Sequence, residues 1–166
     1  VSSATVRAAI VAYLGSVPIA GLNKIHPAPP YWADGSEWDL KKQLGSGAIA
    51  AVHLVTDNES RITVPVNTGQ KKVEYTVGLM LFYQWLMPAT LTPQDESAWA
   101  GPLDVIIDGV KALLRADPNC GLPATVWESA QQPGDVTIVR DIPRRLPGKV
   151  LSWNVLEWHV TEIITA

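Results

Sequence analysis

The stretch Lys71-Lys-Val-Glu-Tyr-Thr-Val-Gly-Leu-Met-Leu-Phe-Tyr-Gln-Trp-Leu-Met-Pro88 holds the most apolar run of the chain, with its charges gathered at one end. A membrane span, a buried helix and a strand compete for it. From Val77 to Met87 it runs eleven residues, interrupted by Gln84, whereas a helix crossing a bilayer needs about 20 apolar residues in succession. The run is too short to span. Side chains alternate faces along a strand and return every three to four residues along a helix. Odd positions read Val73, Tyr75, Val77, Leu79, Leu81, Tyr83, Trp85 and Met87. Even positions begin Lys72, Glu74, Thr76 and Gly78 and turn apolar only at Met80, Phe82 and Leu86. This alternation predicts a long strand with one face buried throughout and the other buried in its later half. The second face needs a cover.

Downstream the period changes and supplies a candidate. Thr92-Pro-Gln-Asp95 is a helix start, and Trp99, Leu103, Ile106, Val110 and Leu113 recur at steps of four and three, widened by Ile107 and Leu114. The stripe is wide enough to lie across a sheet. Pro102 predicts a break or restart near its beginning. Upstream, Ser3 to Leu14 reads as a helix capped by Ser2 or Ser3 and stopped by Gly15, with Val6, Ile10, Tyr13 and Leu14 as its apolar stripe. Leu22 to His26 makes a short strand closed by Pro27. Ala28 to Gly47 is a long Pro- and aromatic-rich connection of the length that functional or partner-ordered loops have.

Two strands follow, Ala48 to Thr56 and Arg61 to Val66, joined by the polar turn Asp57-Asn-Glu-Ser60. Pro65 places the second at an edge or ends it. Beyond the central helix, which ends in Ala116-Asp-Pro-Asn-Cys-Gly121, Ala124 to Ala130 and Asp135 to Arg140 read as a hairpin around Gln131-Gln-Pro-Gly134. After the loop Ile142 to Gly148 comes a strand from Val150 to Thr161. Its apolar phase shifts from Leu151, Trp153 and Val155 to Leu156, Trp158 and Val160, which predicts a bulge near Val155. The expected fold is one α+β domain over residues 1–166, a mostly antiparallel sheet packed by an N-terminal helix and a central amphipathic helix.

Charged residues make up 17% of the 166 and hydrophobic ones 47%, little solvating charge for a lone monomer. Seven tryptophans point the same way, since Trp is enriched where subunits meet. About half of them are expected in the core. The formal charge of −3 gives no overall case for wrapping nucleic acid. The single Cys120 precludes an intramolecular disulfide, no Cys/His spacing matches zinc, and Val-Ser-Ser-Ala at the start lacks a secretory signal. A reducing cytoplasm is the expected place of folding.

Catalytic constellations are thin. His26, His53 and His159 are far apart in sequence, each in or beside a strand, and read most simply as surface or interface histidines. Glu157, His159 and Thr161 share a strand face, which alternating solvent-facing residues explain equally well. Asp104 and Asp108 lie four apart on one helix face, suited to acid–base work or a hard cation, but more simply the solvated edge of the stripe. Gly45-Ser-Gly47 lacks the spacing of a nucleophile elbow, and Cys120 has no nearby base. Neither a metal nor a cofactor is expected. Interaction features are stronger. Arg144, Arg145 and Lys149 concentrate positive charge at a hairpin tip, for docking on an acidic neighbour or a phosphate backbone, or as a plain solvated turn. Tyr31, Trp32 and Trp38 are costly to leave exposed, which tilts the long loop toward contact.

The order of elements resembles a known family. A helix Val-Arg-Ala-Ala-Ile-Val-Ala-Tyr-Leu, a short strand ending Ile-His-Pro, a long aromatic loop and paired strands precede the helix Trp-Ala-Gly-Pro-Leu-Asp-Val-Ile-Ile-Asp-Gly-Val-Lys-Ala-Leu-Leu. Closing strands end in Leu-Glu-Trp-His-Val-Thr-Glu-Ile. The whole is similar to the tail terminators (minor tail protein U-like) and tail-completion proteins of long-tailed bacteriophages, through element order and texture rather than a diagnostic motif. The resemblance implies a non-enzymatic virion protein of the tail and neck, assembled in the host cytoplasm. It also implies a homo-oligomeric ring, typically of six, that caps the tail tube, stops its polymerisation and meets a head-completion or neck protein. DNA would pass through without sequence-specific binding, and no membrane is involved. Another neck or head–tail connector component is the nearest alternative. From a different class, the alternative is a small ligand-binding or hydrolytic domain using His159, Glu157 and His53.

Overall fold

The computed structural model describes residues 3–28, 45–61, 71–88, 96–117, 120–121, 127–129 and 136–164. In chain order the elements are α1 (Ser3–Leu14), β1 (Leu22–His26), β2 (Gly47–Arg61), β3 (Lys71–Leu86), α2 (Glu96–Ala116), β4 (Trp127–Ser129), β5 (Thr137–Arg140), β6 (Arg144–Leu146) and β7 (Lys149–Ile164). The alternating run 71–86 is one strand at the centre of a single seven-stranded sheet. It pairs antiparallel with β2, from Gly47 opposite Gln84 to Arg61 opposite Lys71, and with β7, from Leu86 opposite Lys149 to Lys71 opposite Ile164. β1 adds parallel to β2, and β4, β5 and β6 line the far side of β7. The fold is α+β and mostly antiparallel.

Both helices pack on the same face of this sheet. Val6, Ile10 and Leu14 of α1 and Leu103, Ile106, Ile107, Val110 and Leu114 of α2 form one buried cluster with the odd positions of β3 and the even positions of β2 and β7. Each such Leu or Ile contributes about 1.5–3 kcal/mol when fully removed from water. Helix α2 therefore covers the face of β3 that is apolar throughout, not the later-apolar second face that the sequence predicts it to cover. Two long-range features seat it. The Tyr13 hydroxyl of α1 donates to the Leu113 carbonyl at 2.7 Å. Gly109 lets α2 approach the segment before β1, where an added Cβ would come within 2.8 Å of Ile19 Cγ2.

Several local expectations are corrected. The polar stretch Asp57–Ser60 is not a turn: β2 runs through it, opposite residues 72–75, with one register shift between Leu54 and Thr56. Polar composition resembles a turn, but an antiparallel partner is available at every one of these positions. Arg61 belongs to β2, and the remainder of the predicted strand, including Pro65, lies outside the described residues. Among the described residues of the predicted hairpin of 124–130 with 135–140, the two segments do not pair with each other. β4 and β5 each pair with β7, at Trp127 opposite Glu162 and Thr137 opposite Glu157, and with β6 they lie end to end along one edge. The expected turn at 131–134 lies outside the described residues.

β7 has no bulge near Val155, because its register with β3 is unbroken. Its even positions stay buried along the described length, including Ser152 and Asn154. These two satisfy one another in part, Asn154 Nδ2 donating to Ser152 Oγ at 3.0 Å. Their polarity, with apolar residues at the outward positions 151, 153 and 155, mimicked a phase change. Pro102 likewise does not break α2. It lacks the N–H that would pair with the Ala98 carbonyl, yet Leu103 and Ile106 immediately beyond are buried and hold the helix to the sheet. The start motif Thr92–Asp95 lies outside the described residues.

Candidate functional site

The other face of the sheet carries the even positions of β3 and the odd positions of β7, and neither described helix packs on it. Cross-strand partners share a face, so the register lays out its rows. Met80, Val155 and Val139 share one, Phe82 and Trp153 the next, Gln84, Leu151 and Arg144 a third, and Leu86, Lys149 and Leu146 the last. Toward β2 this face is buried at Ile49, Ala51, Phe82 and Gln84. Gln84 Nε2 donates to the Gly45 carbonyl at 3.1 Å, and the Leu86 N–H donates to Ser46 Oγ at 2.9 Å. Gly45-Ser-Gly47 is thus a polar clamp on the end of β3. Toward β6 the face opens: Trp153 and Leu146 are each 40% exposed and Val139 54%. The Trp153 ring stands edge-on to Phe82 with centroids 5.3 Å apart, which fixes its orientation.

Arg144, Arg145 and Lys149 do cluster, at a built hairpin rather than a loop. Arg144–Leu146 is strand β6, turned by Pro147 and Gly148 into β7. Gly148 has φ 73°, and Pro followed by Gly at positive φ is the residue choice of a type II turn. The Gly148 carbonyl accepts the Met87 N–H at 2.9 Å, tying the tip back to the end of β3. Alternation separates the two arginines. Arg144, opposite Leu151, stands on the open face, while Arg145, opposite Val150, stands on the helix-covered side. Lys149 joins Arg144 on the open face. Just before β6, the Asp141 N–H donates to the Trp153 carbonyl and Asp141 Oδ1 accepts the Ile142 N–H, leaving the Ile142 side chain 82% exposed. Tyr31, Trp32 and Trp38 lie outside the described residues.

Of the tryptophans whose side chains are described, only Trp158 is buried, Trp85 and Trp99 pack partly against the core, and Trp153 faces outward. Sequence reading missed Leu86, Leu146 and Trp153 as surface residues. For Trp153 the signal is its alternation with the buried Ser152 and Asn154, whereas apolarity alone points to burial.

The candidate chemical groups resolve differently. His53, Glu157 and His159 do share the open face, His53 and Glu157 flanking Gly78 in one row and His159 opposite Thr76 in the next. His53 and His159 are exposed, with Thr76 Oγ1 3.3 Å from His159 Nδ1. The side chain of Thr161 is outside the described set. His26 ends β1, half-buried. Asp104 and Asp108 do not act as a pair: Asp104 Oδ1 meets Arg140 of β5 at 2.7 Å, and Asp108 meets Lys111 at 3.5 Å. Cys120 is buried, and burial, helped by the neighbouring Asp117 carboxylate, pushes its thiol up to about 12. A thiol so held is not a nucleophile at neutral pH.

A cavity of ≈ 290 Å³ lies between α1 and β1 on the helix-covered side, lined by Val11, Leu14, Ile19, Leu22 and Ile25 among others. Among the described residues, no group of three His, Cys, Asp or Glu is placed to hold a metal, and no helix is long and apolar enough to cross a membrane. No protein-family model matches the chain, and no curated protein matches it in sequence.

Proposed function

We propose that the chain is a structural subunit of a long-tailed phage particle, a tail terminator. It would form a ring of six subunits, the number typical of that family, that caps the tail tube, stops its polymerisation and joins the tail to a head-completion or neck protein. DNA would pass through the ring, and a different neck position is the nearest variant of the reading. One observation carries it: the open sheet face presents Trp153, Leu146 and Leu86 to solvent beside the cations Arg144 and Lys149. Apolar surface rimmed by charge is the composition of a protein contact. The low overall charge and abundant Trp support an assembled protein. The test is the oligomeric mass of the chain alone and with tail tubes, alongside electron microscopy of the product. Rings seated on tube ends are the expected result, and a chain that stays monomeric in both settings overturns the reading.

A ligand-binding or hydrolytic role would rest on His53, Glu157 and His159 sharing the open face. Turnover of model esters that disappears in His159→Ala would favour it, and equal background rates in both proteins would dismiss it.

A further inference from the structure

Two solvent-facing patches of this chain are chemical complements and point in opposite directions. On the open sheet face, Arg144 and Lys149 flank Leu146 and Trp153. On the helix-covered side, the outer surface of α2 carries Val105, 55% exposed, and Asp108, whose side chain is 74% exposed. Three positions apart, Val105 and Asp108 are neighbours on the helix surface. We propose that a second copy of this chain seats its Val105–Asp108 strip on the basic apolar patch of the β6–β7 hairpin. The inference rests on the ring reading above for what the contact builds.

Charge selects this occupant. The whole chain is net −3 although Arg144, Arg145 and Lys149 fall within six positions, so the surface outside the hairpin is more acidic still. A copy of the chain therefore supplies the opposite sign. Asp108 is free to exchange partners, because its ion pair with Lys111 is an exposed i,i+3 pair at 3.5 Å, a kind worth little in water. Asp104 is held by Arg140 at 2.7 Å and takes no part. A nucleic-acid backbone would answer the cations but leave Leu146 and Trp153 without an apolar match, whereas Val105 provides one. Trp153, already oriented by Phe82, is the anchor such contacts concentrate on. Because the patches lie on opposite faces of one subunit, the contact is head-to-tail. Repetition closes it into a ring when the rotation per subunit permits and into a filament otherwise.

Sedimentation velocity over a concentration series tests the contact on the full chain, on Arg144→Glu/Lys149→Glu, on Asp108→Lys, and on the chain carrying all three changes. Circular dichroism melting serves as the folding control. The wild type should associate, each reversal should weaken association about tenfold or more, and the combined chain should recover it. Monomer at every concentration, association untouched by the reversals, or failure of the combined chain to recover overturns the contact, as does duplex DNA binding without self-association. Association untouched by both reversals removes this contact while leaving the ring reading in place, and the tail-tube experiment decides that reading separately.

Discussion

The hydroxyl of Tyr83, near the end of the central strand, donates to the backbone carbonyl of Trp99 in the first turns of α2, at 3.1 Å. It ties the helix to the sheet just before Pro102, where a backbone hydrogen bond is missing. Tyr83→Phe keeps the ring in its buried site and removes only this bond. The expected cost is about 1 kcal/mol, read as a lower midpoint in thermal melting, and an unchanged midpoint would show that the bond contributes nothing.

Alkaline pH should unfold the protein through groups that resist ionising inside it. Burial raises Tyr83 from its ordinary value of 10.0 to about 12, and burial with Asp117 raises Cys120 from 9.0 to about 12. The unfolded chain loses these protons first, so stability falls as pH rises from about 9 to about 12. Urea titrations across that range should show the decline, and the double variant Tyr83→Phe/Cys120→Ala should flatten it. The same burial predicts that iodoacetamide leaves Cys120 unmodified in the native protein at neutral pH and alkylates it rapidly in denaturant.

Gly109→Ala sets helix propensity against space. Alanine is favoured over glycine within a helix by about 1 kcal/mol, but its Cβ would stand 2.8 Å from Ile19 Cγ2. Overpacking of this kind costs about 1–3 kcal/mol, so the variant should melt lower than wild type. Adding Ile19→Ala to it should recover more stability than Ile19→Ala leaves when made alone, and strict additivity would dismiss the clash.

Two tryptophans should behave oppositely. Trp99 packs partly against the core, and Trp99→Ala should cost about 2 kcal/mol, below the range for fully buried aromatics. Trp153 is 40% exposed on the open face. Trp153→Ser should leave the melting midpoint nearly unchanged and reduce self-association measured by sedimentation. A large loss of stability with intact association would assign Trp153 to the fold alone.

The half-exposed Arg140–Asp104 pair should contribute no more than about 1 kcal/mol. Arg140→Gln melting close to wild type, with a difference that shrinks further in high salt, is the expected outcome.

The parts of the fold legible in the sequence were those whose pattern has one physical cause. Helix α1, strand β1 and the central strand matched because uninterrupted periodicity leaves few alternatives over those lengths. The misreadings share another cause, since polarity does not fix exposure and apolarity does not fix burial. Ser152 and Asn154 face inward and bond to each other, while Leu151 and Trp153 face outward, so hydropathy inverted the end of β7. At Asp57–Ser60 a polar strand segment with a partner looks like a turn, because only tertiary pairing distinguishes them. The hairpin cations were legible as a cluster. Their division between the two faces required the register, and so did the apolar neighbours that make a surface of them.

The ladder between β3 and β7 pairs Leu86 with Lys149 at its near end and Lys71 with Ile164 at its far end. Its two strands leave the ribosome many residues apart, so the central strand emerges with one flank unfilled and waits through the synthesis of α2 and the β4–β6 segments. Sheet completion therefore follows the synthesis of α2 and the β4–β6 segments, and the apolar centre depends on β2 and α2 for protection until β7 arrives.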